Sequence, residues 1–398
     1  MKPDIMTAAK QLEEEIIENR RKIHTFGGTG FDIKPTTDLV VSKLKEYGYD
    51  PKVVAKAGVV CTAGSGKPVI MLRADMDALP MNEETGLPFA CKNGTAHTCG
   101  HDAHTAMLLA AARLIKENEK ELKGTVKFIF QPAEETGDGA IAMVEAGVLE
   151  DPKVDAAFSM HNIVGSECPG MPTGSLRFTP GPTYTSNDAY EITIKGHGCH
   201  GAKPEEGVDA ITIGANIVAG LHEIIAMEKM PKECAVMTLG QFISGDAPNV
   251  IPETAVLRGT IRTYDEKVRE QLKKRLVEVS EGIAKTYRGS ASVRFIYEIP
   301  SVYSDLKMSE EIKKYYLEIM PEDRLFYTAP SMASEDFSQY SMKVPAVMVG
   351  LSLGCPEEGF FYGGHHPKMI VNEEGLYIGA ALYAQVAYRW LEDHQDIK

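Results

Sequence analysis

Basic side chains are scarce in this chain: 42 Lys and Arg stand against 56 Asp and Glu, a formal net charge of −14 over 398 residues. That balance argues against a nucleic-acid backbone or an anionic membrane surface as partner. Long apolar runs are missing as well. No window approaches the roughly 20 apolar residues of a membrane span. No apolar core follows the opening Met-Lys-Pro-Asp-Ile-Met, so no secretory signal is expected. The seven cysteines are odd in number and scattered. They read as reduced thiols of a cytoplasmic protein rather than as a disulfide framework. No G-x-S-x-G marks a serine hydrolase. Ala63-Gly64-Ser65-Gly66-Lys67 fails as a phosphate loop, because its first glycine is missing and Pro68 stands where a hydroxyl would hold magnesium; it reads as a hairpin turn. Gly196-His197-Gly198-Cys199-His200-Gly201 matches a dinucleotide fingerprint in letters only, since the next helix starts too late. His222-Glu223 has Ala226 where a zincin needs its second histidine.

What the chain does have is one dense stretch: His97-Thr98-Cys99-Gly100-His101-Asp102-Ala103-His104. Side chains two apart in an extended segment share a face, so Cys99 and His101 can meet one ion. A helical pattern follows, from Ala106 through Ile115. Helix capping by Asp102 would use only one of these polar groups. No second Cys or His pair follows at zinc-finger spacing.

The length allows two or three domains, and 43% hydrophobic with 25% charged residues is ordinary globular composition. Residues 4–25 and about 36–47 read as helices flanking Gly27-Gly28-Thr29-Gly30. Three buried strands end in polar groups: Val69–Arg73 leads to Asp75 and Asp77, Thr125–Phe130 to Glu134 and Glu135, and Ala156–Met160 to His161 and Asn162. Strand ends are where α/β sheets place their sites. Adjacent carboxylates at such an end are costly unless a cation holds them. Between 185 and 298 the pattern becomes β-α-β-β-α-β, the ferredoxin-like order of an independently folding unit. Residues 1–184 and 299–398 then form the catalytic α/β unit around it, with His365 and His366 ahead of a final helix at about 373–391.

Cys99, His101, Glu135, His161 and one of His365 or His366 supply N, O and S donors enough for two divalent ions. Co-catalytic ions about 3.5–4 Å apart acidify a shared water and polarise a carbonyl. Hydrolysis also needs a general base that is not a ligand, a role open to Glu134. Cys99 as nucleophile is the weaker alternative among so many histidines.

These residues carry a resemblance. Arg73-Ala74-Asp75-Met76-Asp77-Ala78-Leu79-Pro80, the 97–104 stretch, Gln131-Pro132-Ala133-Glu134-Glu135, Met160-His161-Asn162, Ala247-Pro248-Asn249-Val250-Ile251-Pro252, Ser334-Glu335-Asp336-Phe337 and His365-His366-Pro367 span residues 73–367 in order. In them the chain resembles the aminoacylase, hippurate hydrolase and indole-acetyl-amino-acid hydrolase family of dinuclear metal-dependent amidohydrolases. The resemblance implies a mixed-sheet α/β catalytic domain with an inserted ferredoxin-like lid. It implies two divalent ions (Zn, Mn or Co) on Cys99, His101, Glu135, His161 and His365, with Glu134 as base and Asp77 among the catalytic residues. On the lid, His200 matches an oxyanion-stabilising position, and Asn249 and Arg262 match positions for the substrate's polar end. The implied reaction is cleavage of an N-acyl amino acid to a carboxylic acid and a free amino acid. A dipeptidase or a deacetylase of a biosynthetic intermediate is the alternative, and an idle metal-binding scaffold the non-enzymatic one. The resemblance allows a homodimer or homotetramer. The chain departs from it at Thr25–Gly30, where a Pro-Glu-Leu-type stretch is usual, and at Cys199, where glycine is usual.

Overall fold

The computed structural model describes residues 4–397. The chain forms two compact units. The first runs up to Gly181 and includes Tyr303–Ala329 and the chain from Gln339; the second is Pro182–Val302 with Pro330–Ser338. The crossings thus fall at 182 and 302 rather than at 185 and 298. Ser334–Phe337 groups with the second unit, whereas the sequence placed it in the first.

An eight-stranded mixed sheet builds the first unit. Its spatial order is Lys52–Val54, Gly58–Gly64, Thr125–Gln131, Val69–Asp75, Ala156–Ile163, Ala346–Ser352, Leu176–Phe178, Leu325–Tyr327. Gly58–Gly64 and Val69–Asp75 do not form the expected hairpin: Thr125–Gln131 inserts between them, antiparallel to the first and parallel to the second. The reason lies in burial. Every residue of Val69–Asp75 is buried. A strand apolar on both faces is stabilised most in a sheet's interior, flanked by parallel neighbours and covered by helices. Helices His101–Glu117 and Leu376–Asp393 pack on each other and on this strand. Lys127 is a cation in this interior, and its Nζ donates to the carbonyls of Val148 (2.9 Å), Pro152 (2.7 Å) and Glu150, so the buried ammonium is satisfied.

Four neighbouring strands, Thr125–Gln131, Val69–Asp75, Ala156–Ile163 and Ala346–Ser352, run parallel. Their carboxyl ends therefore open on one sheet edge. The strand expected to stop at Met160 continues through His161 to Ile163. The single N-terminal helix is two, Ile5–Gln11 and Glu13–Phe26, broken at Leu12.

The second unit is a four-stranded antiparallel sheet in the order Ala235–Ser244, Thr254–Thr263, Asn187–Lys195, Ser290–Ile299. Helices Ala210–Glu223 and Glu266–Thr286 bury Ile213, Ile217, Leu221, Leu272 and Leu276 with Tyr190, Ile192 and Ile194 of the central strand. The helical stretch Ala210–Glu228 is long and apolar enough to cross a membrane, contrary to the expectation that no window is. Its apolar stripe is used by this core instead.

Candidate metal centre

Helix His101–Glu117 begins one residue after Gly100, whose φ is +83°. The segment is therefore a turn and not the extended stretch inferred from the Cys99–His101 spacing. A Cβ at Gly100 would sit 2.0 Å from the side-chain amide of Asn162, so only glycine fits. Asp102 does not cap this helix. It lies in the first turn, where its Oδ2 accepts Arg20 Nε at 2.6 Å and lies 2.8 Å from His24 Nδ1. His24 reaches on to Glu83 at 3.0 Å, and Arg20 to Glu373 at 3.1 Å. Sequence reasoning missed this buried network. Its one signal was Arg20-Arg21-Lys22-Ile23-His24, with cationic groups at helical spacing.

The ring nitrogens of the cluster fall into distinct settings. His104 is fully engaged: Nδ1 meets Asp75 Oδ1 at 2.5 Å and Nε2 accepts the Asn162 N–H at 2.8 Å. His161 turns Nδ1 to the Asn162 carbonyl at 2.6 Å and presents Nε2 to Cys99 Sγ at 3.3 Å. His101 and Glu135 differ. Both ring nitrogens of His101, and Glu135 Oε1, are buried without a hydrogen-bond partner among the described residues. His101 Nε2 lies 3.9 Å from Glu135 Oε1, and His365 Nε2 lies 3.4 Å from the same oxygen. His366 turns away, stacking on Tyr362 and accepting the Lys368 N–H with Nδ1 at 3.1 Å.

Of the groups whose ligand atoms lie within 4.8 Å of one another, two contain Cys99: Cys99, His101 and His161, and Cys99, Glu135 and His365. Cys99 belongs to both. Glu134 forms a further group with His101 and Glu135. Asp77 sets this corner: its two oxygens accept the N–H groups of Glu134 and Glu135 at 3.0 and 3.2 Å. Ala133, just before, is held at φ +57°, a strained conformation for a residue with a side chain. Its N–H donates to Gly30 O at 3.1 Å, and Ala78 N–H to Gly28 O at 2.8 Å. The Gly-rich segment that departs from the family pattern thus braces the turns after both acidic strands.

The electrostatics call for a cation. Burial disfavours charge on His101, yet the Asp75, Asp77 and Glu135 carboxylates push it up to about 10. Burial and the surrounding Glu135, Glu134 and Asp75 push the Cys99 thiol well up, which disarms it as a free nucleophile. Burial pushes His161 down, keeping it neutral and ligand-ready. Glu135, despite burial, is held low by His365 and His101. Unpartnered imidazole and carboxylate groups beside a thiol that ionises only against added positive charge fit borderline divalent ions.

The lid candidates all lie in the second unit. His200 is exposed, its Nδ1 accepting the Ala202 N–H at 3.1 Å. Strand pairing sets it opposite Val250, and Gly201 N–H donates to Asn249 O at 2.8 Å, so His200 and Asn249 are neighbours. Arg262 donates to Met332 O at 3.2 Å.

Two donor groups joined through one thiol, with a further carboxylate alongside, are a donor set of the kind that a pair of divalent ions would need. The chain belongs to peptidase family M20/M25/M40, whose model matches residues 71–389. It is 34% identical over 395 residues to N-acetyl-L-cysteine deacetylase of Bacillus subtilis (strain 168), covering 97% of this chain and 91% of that one. It is 37% identical over 395 residues to IAA-amino acid hydrolase ILR1-like 4 of Arabidopsis thaliana, covering 97% and 88%. The crystal structure of the Bacillus subtilis YXEP protein, described as a dinuclear metal binding peptidase from the M20 family, superposes with a TM-score of 0.81 at 34% identity, covering 96% of this chain and 99% of that one.

Proposed function

We propose that this chain is a metal-dependent amidohydrolase that cleaves N-acyl amino acids to a carboxylic acid and a free amino acid. One observation carries the reading: Cys99 is common to two donor groups, and Glu134 stands beside them. Cys99, His101 and His161 would hold one divalent ion, and Cys99, Glu135 and His365 a second; Zn, Mn and Co all suit the donors. When bound, the ions supply Lewis acidity and lower the pKa of a water. Glu134 takes the proton from the attacking water and returns it to the departing amine nitrogen. Asp77 holds the Glu134–Glu135 turn in register through both backbone N–H groups. Asn162 fixes the His161 ring by accepting Nδ1–H, which directs Nε2 to the centre. His200 is assigned to oxyanion stabilisation, and Asn249 and Arg262 to the substrate carboxylate. The seven free cysteines support a reducing, cytoplasmic setting. The names of the Bacillus relatives favour deacetylation as the nearest variant of the reaction.

A panel of N-acetyl, N-benzoyl and dipeptide substrates, assayed with Mn, Co and Zn, tests the proposal. Turnover of N-acyl amino acids above dipeptides is expected. Faster dipeptide turnover would replace the proposal with a peptidase, and no turnover of any amide with any metal would sink it.

A further inference from the structure

The turn that follows the His161 strand lies against the segment that delivers His365. Strand Ala156–Ile163 carries His161, and Gly165–Glu167 form one short helical turn just beyond its end. Glu167 folds back within this turn, and its Oε2 accepts the Val164 N–H at 3.2 Å. Main chain meets main chain at Gly165, where a Cβ would stand 2.6 Å from the Tyr362 carbonyl oxygen. Next along that segment are Gly363 and Gly364. A Cβ at Gly363 would sit 2.9 Å from Ser166 Oγ and 3.0 Å from Glu167 Cγ. One at Gly364 would sit 3.1 Å from Glu167 Oε1, and its three nearest atoms would all belong to the Glu167 carboxylate. Two successive glycines thus let the backbone rest directly on one side chain. His365 follows at φ +62°. A residue with a side chain persists in that region only where its surroundings over-determine it. On one side the His365 N–H donates to Thr98 O at 2.7 Å, one residue before Cys99. On the other, Glu167 bears on the residue before it. Glu167 belongs to no donor group, yet its charge is felt at both Cys99 and His365, behind the nearer carboxylates.

We propose that Glu167 is a positioning residue: it braces His365 against the end of the His161 strand and so fixes the Cys99–Glu135–His365 donor group relative to the Cys99–His101–His161 group. The inference rests on the two-ion reading of the centre. In this role Glu167 acts by shape and through one accepted N–H, not by its charge. Gln has the same length and an acceptor oxygen for Val164, so Glu167→Gln should preserve the brace. Ala offers neither the acceptor nor the wall behind Gly364.

The test uses the full-length protein with Glu167→Ala, Glu167→Gln, Gly364→Ala and the double variant Glu167→Ala with Gly364→Ala; His365→Ala and His161→Ala serve as references. Amide hydrogen exchange of the 361–367 segment is followed in the metal-free chain, and zinc is then titrated in by calorimetry. In Glu167→Ala one of two zinc equivalents should weaken by roughly 10–100-fold, the scale for losing a group that orients a ligand. It should be the equivalent that His365→Ala abolishes, with the other unchanged. The His365 amide should exchange faster, because its bond to Thr98 O opens more readily. Glu167→Gln should match the wild type in both readings. Gly364→Ala should weaken the same equivalent, and less so in the Glu167→Ala background, since the two residues act through one contact. Should Glu167→Ala not fold, Gly364→Ala reads that contact from the other side. Equal weakening of both equivalents, or of neither, overturns the proposal, as does a Glu167→Gln variant no better than Glu167→Ala. The exchange reading needs neither zinc nor turnover. A wild type that takes up fewer than two zinc ions, while its His365 amide depends on Glu167, would refute the two-ion reading alone. One that binds two and hydrolyses N-acyl amino acids, with exchange and zinc uptake indifferent to Glu167, would refute the positioning role alone.

Discussion

Asp77 Oδ1 accepts the Glu134 N–H at 3.0 Å and stands 3.4 Å from His101 Nδ1. A single buried carboxylate therefore sits between the residue proposed as base and a residue proposed as ligand. Asp77→Asn keeps the volume but turns one acceptor into a donor aimed at an N–H. Metal affinity or kcat should fall by roughly 10–100-fold, the usual cost of losing a group that orients a metal ligand. Zinc titration and steady-state kinetics together check this; wild-type values in both would remove Asp77 from the site.

Glu134 and Glu135 are adjacent but should fail differently. Glu135→Ala removes a donor shared with His365 and should lose metal along with activity. Glu134→Gln should keep its metal and lose roughly 10²–10⁴-fold in kcat, as for a missing general base. Metal analysis of the purified variants separates the two. A Glu134→Gln protein with normal kcat would contradict its assignment.

Arg20 and Asp102 are 2% and 0% exposed and 2.6 Å apart. Arg20→Ala would leave a buried carboxylate without its main counter-charge. Unfolding in urea should show a loss of about 3–5 kcal/mol, the scale for breaking a buried pair from one side. A loss under 1 kcal/mol would mean that His24 alone suffices.

His24 gives the same network a pH dependence. Burial disfavours its charge, but Asp102 and Glu83 raise its pKa above the ordinary value. A raised histidine contributes stability that is complete below about pH 6.5 and fades as pH climbs through the folded pKa. The stability difference between wild type and His24→Gln should accordingly be larger at pH 6 than at pH 9. Equal differences at both would mean that the ring is neutral throughout.

His200→Ala addresses the second unit. Metal content should not change, while kcat falls by about 10²-fold, the scale of a lost oxyanion donor. An effect on KM alone would make His200 a binding residue.

Sequence made the strand ends legible because burial on both faces leaves an uninterrupted apolar run, as in Val69–Leu72, and the polar residues that follow stand out against it. It could not order the strands, since Thr125–Gln131 chooses its neighbours by contacts more than 50 residues away. Nor could it sort the histidines. His104 is taken by Asp75 and Asn162, 29 and 58 residues distant, and nothing in the local spelling separates it from His101. The preference between His365 and His366 comes from resemblance; the structure adds that His365, at φ +62°, lies 3.4 Å from Glu135 and that His366 stacks on Tyr362. Leu12, at φ −93° and ψ 0°, breaks the first helix where the periodicity runs on unbroken.

The strand interleaving also constrains how the chain acquires its structure. Gly58–Gly64 and Val69–Asp75 are neighbours in sequence but cannot zip together locally, as each waits for Thr125–Gln131. Ala156–Ile163 in turn completes its pairing only with Ala346–Ser352, after the whole second unit has been synthesised. Non-local pairing of this kind slows folding. On the ribosome, the second unit can fold while the first still holds an open apolar strand edge, and the metal donors of residues 99–161 must await His365. An unpaired apolar strand edge of this kind favours aggregation while the chain is being completed.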